Sequence, residues 1–187
     1  MTINNTLLSA DRSALFVVDP QERLMAAIYQ AERVVRNTSL LVHCAKALGM
    51  PVMASTQYKK GLGPLVPELA KLLADDPSVD KVEFNAFACS GTTELLERLP
   101  AKVDTLILAG AEAHICIYQT AVGAMEAGYR VWVAADAVSS RKKENAEMAL
   151  ARMQALDIDV GPTEMAVYEL LQRAGTEAFK AMLPHLK

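Results

Sequence analysis

A cysteine stands where a predicted strand passes into a predicted helix. The apolar run TLILAG ends at Gly110, and the stretch CIYQTAVGAMEAG, which begins at Cys116, has the apolar spacing of a helix. The first turn of a helix presents unpaired backbone N–H groups and the positive end of the helix dipole, and both favour a thiolate. Cys116 is therefore a candidate nucleophile, although cysteines are more often small buried side chains.

Two further ionisable side chains stand at or near the ends of predicted strands. Asp19 closes the run ALFVVD, and Lys81 lies in the short run DKVEF. If the strands are parallel, such residues can meet at one edge of the sheet, where a carboxylate takes the thiol proton and an ammonium group balances the charge. Taken singly, Asp19 is more often a turn residue and Lys81 an exposed charge, and the spacing does not overturn these alternatives.

A parallel sheet is needed to position these residues, and the rest of the chain predicts one. Apolar, partly β-branched runs alternate with amphipathic helical stretches almost from end to end, which is typical of β-α units. We expect about six strands: ALFVVD (14–19), PVMAST (51–56), DKVEF (80–84), DTLILAG (104–110), RVWVAAD (130–136) and a weaker DIDVGP (157–162). Between and after them we expect helices in ranges 32–49, 65–74, 92–99, 116–128, 143–156, 164–174 and 176–183.

The predicted fold class is α/β: a doubly wound, mostly parallel sheet with helices on both faces. A length of 187 residues suits one domain, which we place over 1–187. We expect Gly49 to end the helix that precedes it and Thr92 or Thr93 to cap the helix at 92–99.

Composition limits the partners. The net charge is −3 and acids and bases are scattered, so no basic stripe predicts nucleic-acid binding. The start MTINNTLLSADRS lacks the basic residues and continuous apolar core of a signal peptide, so we expect a cytoplasmic protein without a membrane partner. The stretch GLGPLV (61–66) lacks the final glycine of a dinucleotide fingerprint, and we expect no cofactor.

The cysteines and histidines are too dispersed for a disulfide framework or a zinc motif. They are Cys44, Cys89, Cys116, His43, His114 and His185. The proximity of His114 to Cys116 invites a Cys-His interpretation, but near neighbours across a turn rarely have the required geometry, and we reject it.

Five stretches carry a family resemblance. In order, FVVDPQERL, STQYKKGLGPLVPEL, DKVEFNAF, GAEAHICIYQTAVGAMEAGYRVWVAADAVSSR and EMAVYEL resemble the isochorismatase-like cysteine hydrolases. The match covers nearly the whole chain and is nearest to the branch without a settled substrate. It implies a Rossmann-like three-layer fold and hydrolase activity.

The resemblance also implies roles for individual residues. It implies a catalytic triad of Cys116, Asp19 and Lys81, and a cis peptide bond between Ala111 and Glu112. The backbone N–H groups of Glu112 and Cys116 would form the oxyanion hole. In the implied mechanism Asp19 accepts the thiol proton, Cys116 attacks an amide-like carbonyl to give a thioester, and water releases the acid.

Other polar and aromatic residues are candidates for substrate contact. Gln21, Gln57 and Tyr58 follow strand ends, but loop residues of this kind bond to backbone about as often. Phe84 and Phe87 are equally compatible with a pocket wall and with the core.

The leading hypothesis is a hydrolase of a small amide or related carbonyl compound. Nicotinamidases of this superfamily bind a metal through an aspartate and histidines after the second strand, where this chain reads STQYKKGLG; a nicotinamidase therefore ranks low, and we expect no metal. A catalytically silent scaffold with the same fold is a further alternative. The apolar helices and the closing segment FKAMLPHLK, together with the oligomers common in the family, predict a homo-oligomer.

Overall fold

The computed structural model of the chain describes residues 7–186. The first six residues of the N-terminal segment, on which part of the signal-peptide prediction rests, and Lys187 at the end of the closing segment lie outside the described residues.

The predicted parallel sheet is confirmed. Six strands in the described range form one sheet in the order β3-β2-β1-β4-β5-β6, and every pairing is parallel. Strands β1 and β4 are buried on both faces, which explains why their sequences are apolar without alternation. The bounds are β1 Ser13–Val18, β2 Val52–Gln57, β3 Ser78–Lys81, β4 Thr105–Ala111, β5 Arg130–Ser139 and β6 Asp159–Gly161.

Helices cover both faces of the sheet, as predicted. They are α1 Glu22–Met25, α2 Ala31–Ala47, α3 Lys59–Leu62, α4 Pro67–Leu72, α5 Ser90–Leu96, α6 Tyr118–Glu126, α7 Lys143–Gln154, α8 Thr163–Leu171 and α9 Glu177–Met182. One core packs α2, α4, α8 and α9 against the sheet, and a second packs α5, α6 and α7 against the opposite face. Among residues 7–186, none of the helices has the length and apolar character required to cross a membrane.

Several local predictions need correction. Helix α5 begins at Ser90, with Cys89 at the N-cap and no side-chain cap, so Thr92 and Thr93 lie inside the helix. The short helices α1 and α3 were not predicted, because one turn of helix gives no measurable periodicity.

The prediction for the end of α2 is confirmed. Gly49 follows α2 with φ +66°, the left-handed conformation expected of a residue that ends a helix.

The closing segment is less available for assembly than its composition suggests. Met182 is buried, and Phe179 and Leu186 pack against the core that contains α2. Only Leu183 among its large apolar side chains in the described range is substantially exposed. The apolar character of this segment therefore serves the fold of a single chain.

The strand order creates a crevice at the carboxyl edge of the sheet. The chain runs outward from β1 to β3, then returns to add β4 on the other side of β1. Loops leaving β1 and β4 therefore diverge in opposite directions, which is where doubly wound folds bind their ligands. Asp19 follows β1 and Cys116 follows β4.

Gly110, in β4, allows the two central strands to approach closely at this edge. Its φ is +124°, and an added Cβ would lie 2.0 Å from the carbonyl oxygen of Val18. We predict that Gly110→Ala lowers the free energy of unfolding by at least about 3 kcal/mol, through the positive φ and the steric overlap together. Urea denaturation measures the change. In the matched Gly128→Ala variant φ is also positive but nothing lies within 4 Å of the added Cβ, so its loss should be about 1–2 kcal/mol; equal losses would contradict the steric explanation.

Candidate active site

The turn after β1 directs Asp19 into the protein. Asp19 has φ +53°, a left-handed conformation that aspartate tolerates better than most residues. Its backbone N–H donates to the carbonyl oxygen of Ser55 at 3.1 Å, and its carbonyl accepts from the N–H of Gln21 at 2.8 Å. The carboxylate is thereby held in the interior, with no exposed surface.

Asp19 and Lys81 form a buried ion pair. The Lys81 Nζ lies 2.6 Å from Oδ2 of Asp19, and both side chains are fully buried. The hydroxyl of Ser55 donates to Oδ1 of Asp19 at 2.6 Å, and Nζ also donates to Oε1 of Gln57 at 2.7 Å. Pairing and hydrogen bonding of this kind are what allow two charges to remain away from water.

Cys116 completes this cluster. It lies in a single π-helical turn, Ala113–Ile117, that precedes α6, and only 5% of its surface is exposed. Burial raises the pKa of the Cys116 thiol to about 12, and the charge of Asp19 together with a hydrogen bond from the thiol to its carboxylate acts in the same direction. The positive charge of Lys81 and the backbone N–H of Glu112 lower this pKa, but by less.

The expectation that the helix terminus favours a thiolate is therefore wrong for this state of the protein. Desolvation and a neighbouring carboxylate outweigh the helix terminus, so the thiol stays protonated at neutral pH. The three residues do meet, since the charges of both Asp19 and Lys81 act on the thiol of Cys116.

Glu112 is held at its backbone and at its side chain. The Ala111–Glu112 peptide bond is cis. The Glu112 carbonyl accepts from the N–H groups of Ile115 and Ile117 at 3.1 and 3.2 Å, and these bonds shape the turn that carries Cys116. The buried Glu112 carboxylate accepts from the backbone N–H and from Nε of Arg141, each at 3.0 Å.

The two glutamines hold the site together through their side chains. The amide of Gln21 is buried and bonds to backbone at both ends: Nε2 donates to the carbonyl of Gly63 at 2.7 Å, and Oε1 accepts from the N–H of Gln57 at 2.6 Å. It is therefore not available to a substrate. Gln57 accepts from Lys81 and donates to the carbonyl of Val82 at 2.8 Å, so it orients the lysine.

The three aromatic candidates differ in their exposure and in their packing. Tyr58 and Phe84 are each 52% exposed. The backbone N–H of Tyr58 donates to the carbonyl of Lys81 at 2.8 Å, and Phe84 lies three residues after Lys81 in the chain. Phe87 instead packs edge-to-face on Tyr129, with ring centroids 6.0 Å apart. Phe87 also packs against the core that contains α6, which favours the core alternative, and its contact with a substrate stays a prediction.

His114 faces away from the thiol. Its Nδ1 lies 2.8 Å from the hydroxyl of Ser140, and Nε2 lies 3.4 Å from the amide nitrogen of Asn145. The rejection of a Cys-His pair is thus supported. Within residues 7–186, no group of three or more histidine, cysteine, aspartate or glutamate side chains is arranged to hold a metal ion.

Two residues that contribute to the site were not predicted from the sequence. Ser55 lies in the predicted strand PVMAST, in register with Val18, and its hydroxyl is not distinguished in the sequence from that of Thr56. Arg141 lies in the stretch VSSR and contacts Glu112, which is 29 positions away in the chain. A contact over this separation gives no local pattern in the sequence.

Comparison with known proteins agrees with this architecture. The family model for the isochorismatase domain matches residues 13–165. The chain belongs to the isochorismatase family. A secreted isochorismatase effector, Isc1, of Phytophthora sojae is 35% identical over 178 residues, which span 94% of this chain and 84% of that protein.

Solved structures of the isochorismatase-like fold superimpose closely. The structure of MAR1 ribonuclease from Caenorhabditis elegans has a TM-score of 0.89 and 31% identity, covering 97% of this chain and 92% of that one. The YcaC gene product of Escherichia coli, an octameric hydrolase of unknown specificity, has a TM-score of 0.89 at 23% identity, covering 98% and 92%. The latter similarity establishes the fold alone.

The raised pKa of Cys116 gives a prediction for alkylation. At pH 8 the thiol should react slowly with iodoacetamide, and the rate should rise with pH toward the pKa of about 12. Asp19→Asn removes a negative charge next to the sulfur, so alkylation at pH 8 should become about tenfold faster or more. Peptide mass spectrometry measures the rate for Cys116 separately from Cys44 and Cys89.

Asp80→Asn is the matched control, because the Asp80 carboxylate accepts from Thr56 and Lys59 and is not among the groups that shift the thiol pKa. Its rate should equal that of the unaltered protein. A wild-type rate that reaches half its maximum below pH 8 would refute the protonated thiol.

The ion pair gives a prediction for stability. Lys81→Met leaves the Asp19 carboxylate buried without its cation and should lower the free energy of unfolding by about 3–5 kcal/mol. The double variant Asp19→Asn/Lys81→Met removes both charges and should recover part of this loss. Chemical denaturation of the single and double variants measures the coupling. Strictly additive losses would show that the two charges do not stabilise each other.

Proposed function

We propose that this protein is a cysteine hydrolase that cleaves a small amide or a related carbonyl compound through a thioester on Cys116. The observation that carries the proposal is the buried cluster in which Cys116 neighbours the carboxylate of Asp19, which is itself paired with Lys81 at 2.6 Å. An acceptor for the thiol proton is thus in place before a substrate arrives.

In the first half-reaction the sulfur attacks the substrate carbonyl carbon as Asp19 takes the thiol proton. A carbon–sulfur bond forms, and the carbonyl π electrons move to oxygen to give a tetrahedral oxyanion. When the oxyanion collapses, the carbon–nitrogen bond breaks and the leaving amine receives the proton from Asp19. The Lys81 ammonium group lies beside the Asp19 carboxylate and balances its negative charge before the first transfer and again after the second.

In the second half-reaction Asp19 takes a proton from water, which attacks the thioester carbonyl. The carbon–sulfur bond breaks, the acid is released, and the proton returns to the sulfur. We assign the oxyanion hole to the backbone N–H groups of Glu112 and Cys116. The backbone N–H of Glu112 lowers the pKa of the Cys116 thiol, which supports placing this donor near the attacking sulfur.

We assign substrate contacts to Tyr58 and Phe84, which follow the ends of β2 and β3. Both aromatic residues are half exposed, which favours an apolar or aromatic group on the substrate. Gln57 and Ser55 act through Lys81 and Asp19 and are positioning residues.

RNA is the competing substrate class, because one similar structure is that of a ribonuclease. We favour a small molecule for two reasons. The chain has a net charge of −3 and no concentrated basic stripe. The proposed nucleophile is a thiol, which suits acyl transfer at carbon.

Turnover of a library of small amides and esters tests the proposal. We predict that Cys116→Ala lowers kcat/KM by about 10⁴-fold or more, as expected when a nucleophile that acts as part of a unit is removed. The matched control Cys89→Ala, at the N-cap of α5, should retain activity. Mass spectrometry of quenched reactions should show the acyl group on Cys116. Turnover that survives Cys116→Ala, or cleavage of RNA without turnover of any amide or ester, would overturn the proposal.

We also propose that the protein forms a homo-oligomer in the cytoplasm. Large apolar side chains remain exposed on α8, namely Met165 and Tyr168, and such surface is typical of subunit contacts. Light scattering coupled to size exclusion should give a multiple of the 20.2 kDa chain mass. The mass of a single chain would refute the assembly.

A further inference from the structure

A cleft lies on the outside of the turn that carries Cys116, between that turn and helix α7. Its volume is about 230 Å³, which suits a molecule of about ten non-hydrogen atoms. We call it the α6–α7 cleft; its lining residues are His114, Tyr118, Asn145, Met148, Ala149 and Arg152. None of them belongs to the proposed triad.

Four residues of helix α7 form a continuous stripe that lines this cleft. Asn145, Met148, Ala149 and Arg152 are spaced i, i+3, i+4 and i+7, so they share a helix face and extend over about 10 Å. The stripe changes in chemistry along its length, from an amide through an apolar middle to a cation. Met148 in the middle is 63% exposed, although most of the apolar residues of α7 face the core.

The cationic end lacks an acidic partner within residues 7–186. The Nε of Arg152 donates to the hydroxyl of Tyr118 at 2.7 Å, and its guanidinium carbon lies 5.4 Å from the centre of the Tyr118 ring. No ion pair joins this guanidinium to a carboxylate in the described part of the chain. Its two terminal nitrogens therefore remain able to bind a planar carboxylate with two parallel hydrogen bonds.

We propose that the α6–α7 cleft binds a small carboxylate with an aromatic or short aliphatic body. Arg152 binds the carboxylate, and Tyr118, Met148 and Ala149 contact the body. The side-chain amide of Asn145 accepts or donates a hydrogen bond at the opposite end, where His114 contacts the ligand through its ring. This site is separate from the proposed catalytic centre and does not depend on the proposed function.

Binding here is coupled to Cys116 through the chain. His114 and Tyr118 stand two residues before and two residues after Cys116, on the same π-helical turn and the start of α6. A ligand that contacts both changes the freedom of the turn, and the effect is reciprocal by linkage. The ligand therefore alters the reactivity of the thiol without contacting it.

Benzoate is the probe for the test, with benzamide as its neutral analogue, using calorimetry or ligand-observed NMR on the full chain. Benzoate should bind saturably, and benzamide should bind about tenfold more weakly or worse because it cannot pair with Arg152. Arg152→Gln should weaken benzoate binding by about tenfold. Arg98→Gln, at an exposed arginine beyond α5, should leave it unchanged.

Two further measurements separate this cleft from the catalytic centre. Cys116→Ala should still bind benzoate with the wild-type affinity, whatever becomes of amide turnover. Benzoate should change the rate of Cys116 alkylation in the wild type by at least about twofold but not in Arg152→Gln. Absent binding, equal binding by Arg152→Gln, or binding abolished by Cys116→Ala would each overturn the proposal.

Discussion

The buried ion pair between Asp19 and Lys81 is the interaction on which the site depends. Its two side chains come from strands separated by β2, and hydrogen bonds with Ser55 and Gln57 support the pair away from water. The pair in turn controls Cys116, since the carboxylate raises the pKa of the thiol while the ammonium group lowers it. The Asp19–Lys81 contact therefore depends on the strand order, sets the electrostatics of the site and supports the proposed chemistry.

This arrangement resolves an apparent conflict between a nucleophile and its raised pKa. A permanently ionised thiolate in a dry crevice would need a strong cation beside it, but here the cation is already paired with a carboxylate. The protein instead keeps a neutral thiol and an ionised base in contact. In the proposed mechanism the thiolate forms only as a carbonyl carbon arrives to take its electrons, which would protect the sulfur from other electrophiles.

Much of this could be predicted from the sequence, because strands such as ALFVVD and TLILAG combine apolar runs with clear boundaries, and a parallel sheet brings their ends together. The family resemblance added the partnership of Cys116 with Asp19 and Lys81, which spacing alone left open. Ser55, Arg141 and the orientation of Phe87 could not be predicted. The role of Ser55 depends on the register between strands, that of Arg141 on a contact distant in the chain, and that of Phe87 on the direction in which its ring packs. None of these leaves a local pattern in the sequence. The thiol pKa was predicted with the wrong sign because the helix terminus is visible in sequence and desolvation is not.

The protonation state of Cys116 in the resting protein is the most direct test of this account. Protein labelled with carbon-13 at the cysteine β carbons reports it by NMR, since the β-carbon shift differs between thiol and thiolate and can be followed through a pH titration. We predict a Cys116 signal that stays in the thiol position through pH 9 and moves only as pH approaches the pKa of about 12. A signal in the thiolate position at pH 7 would contradict the account.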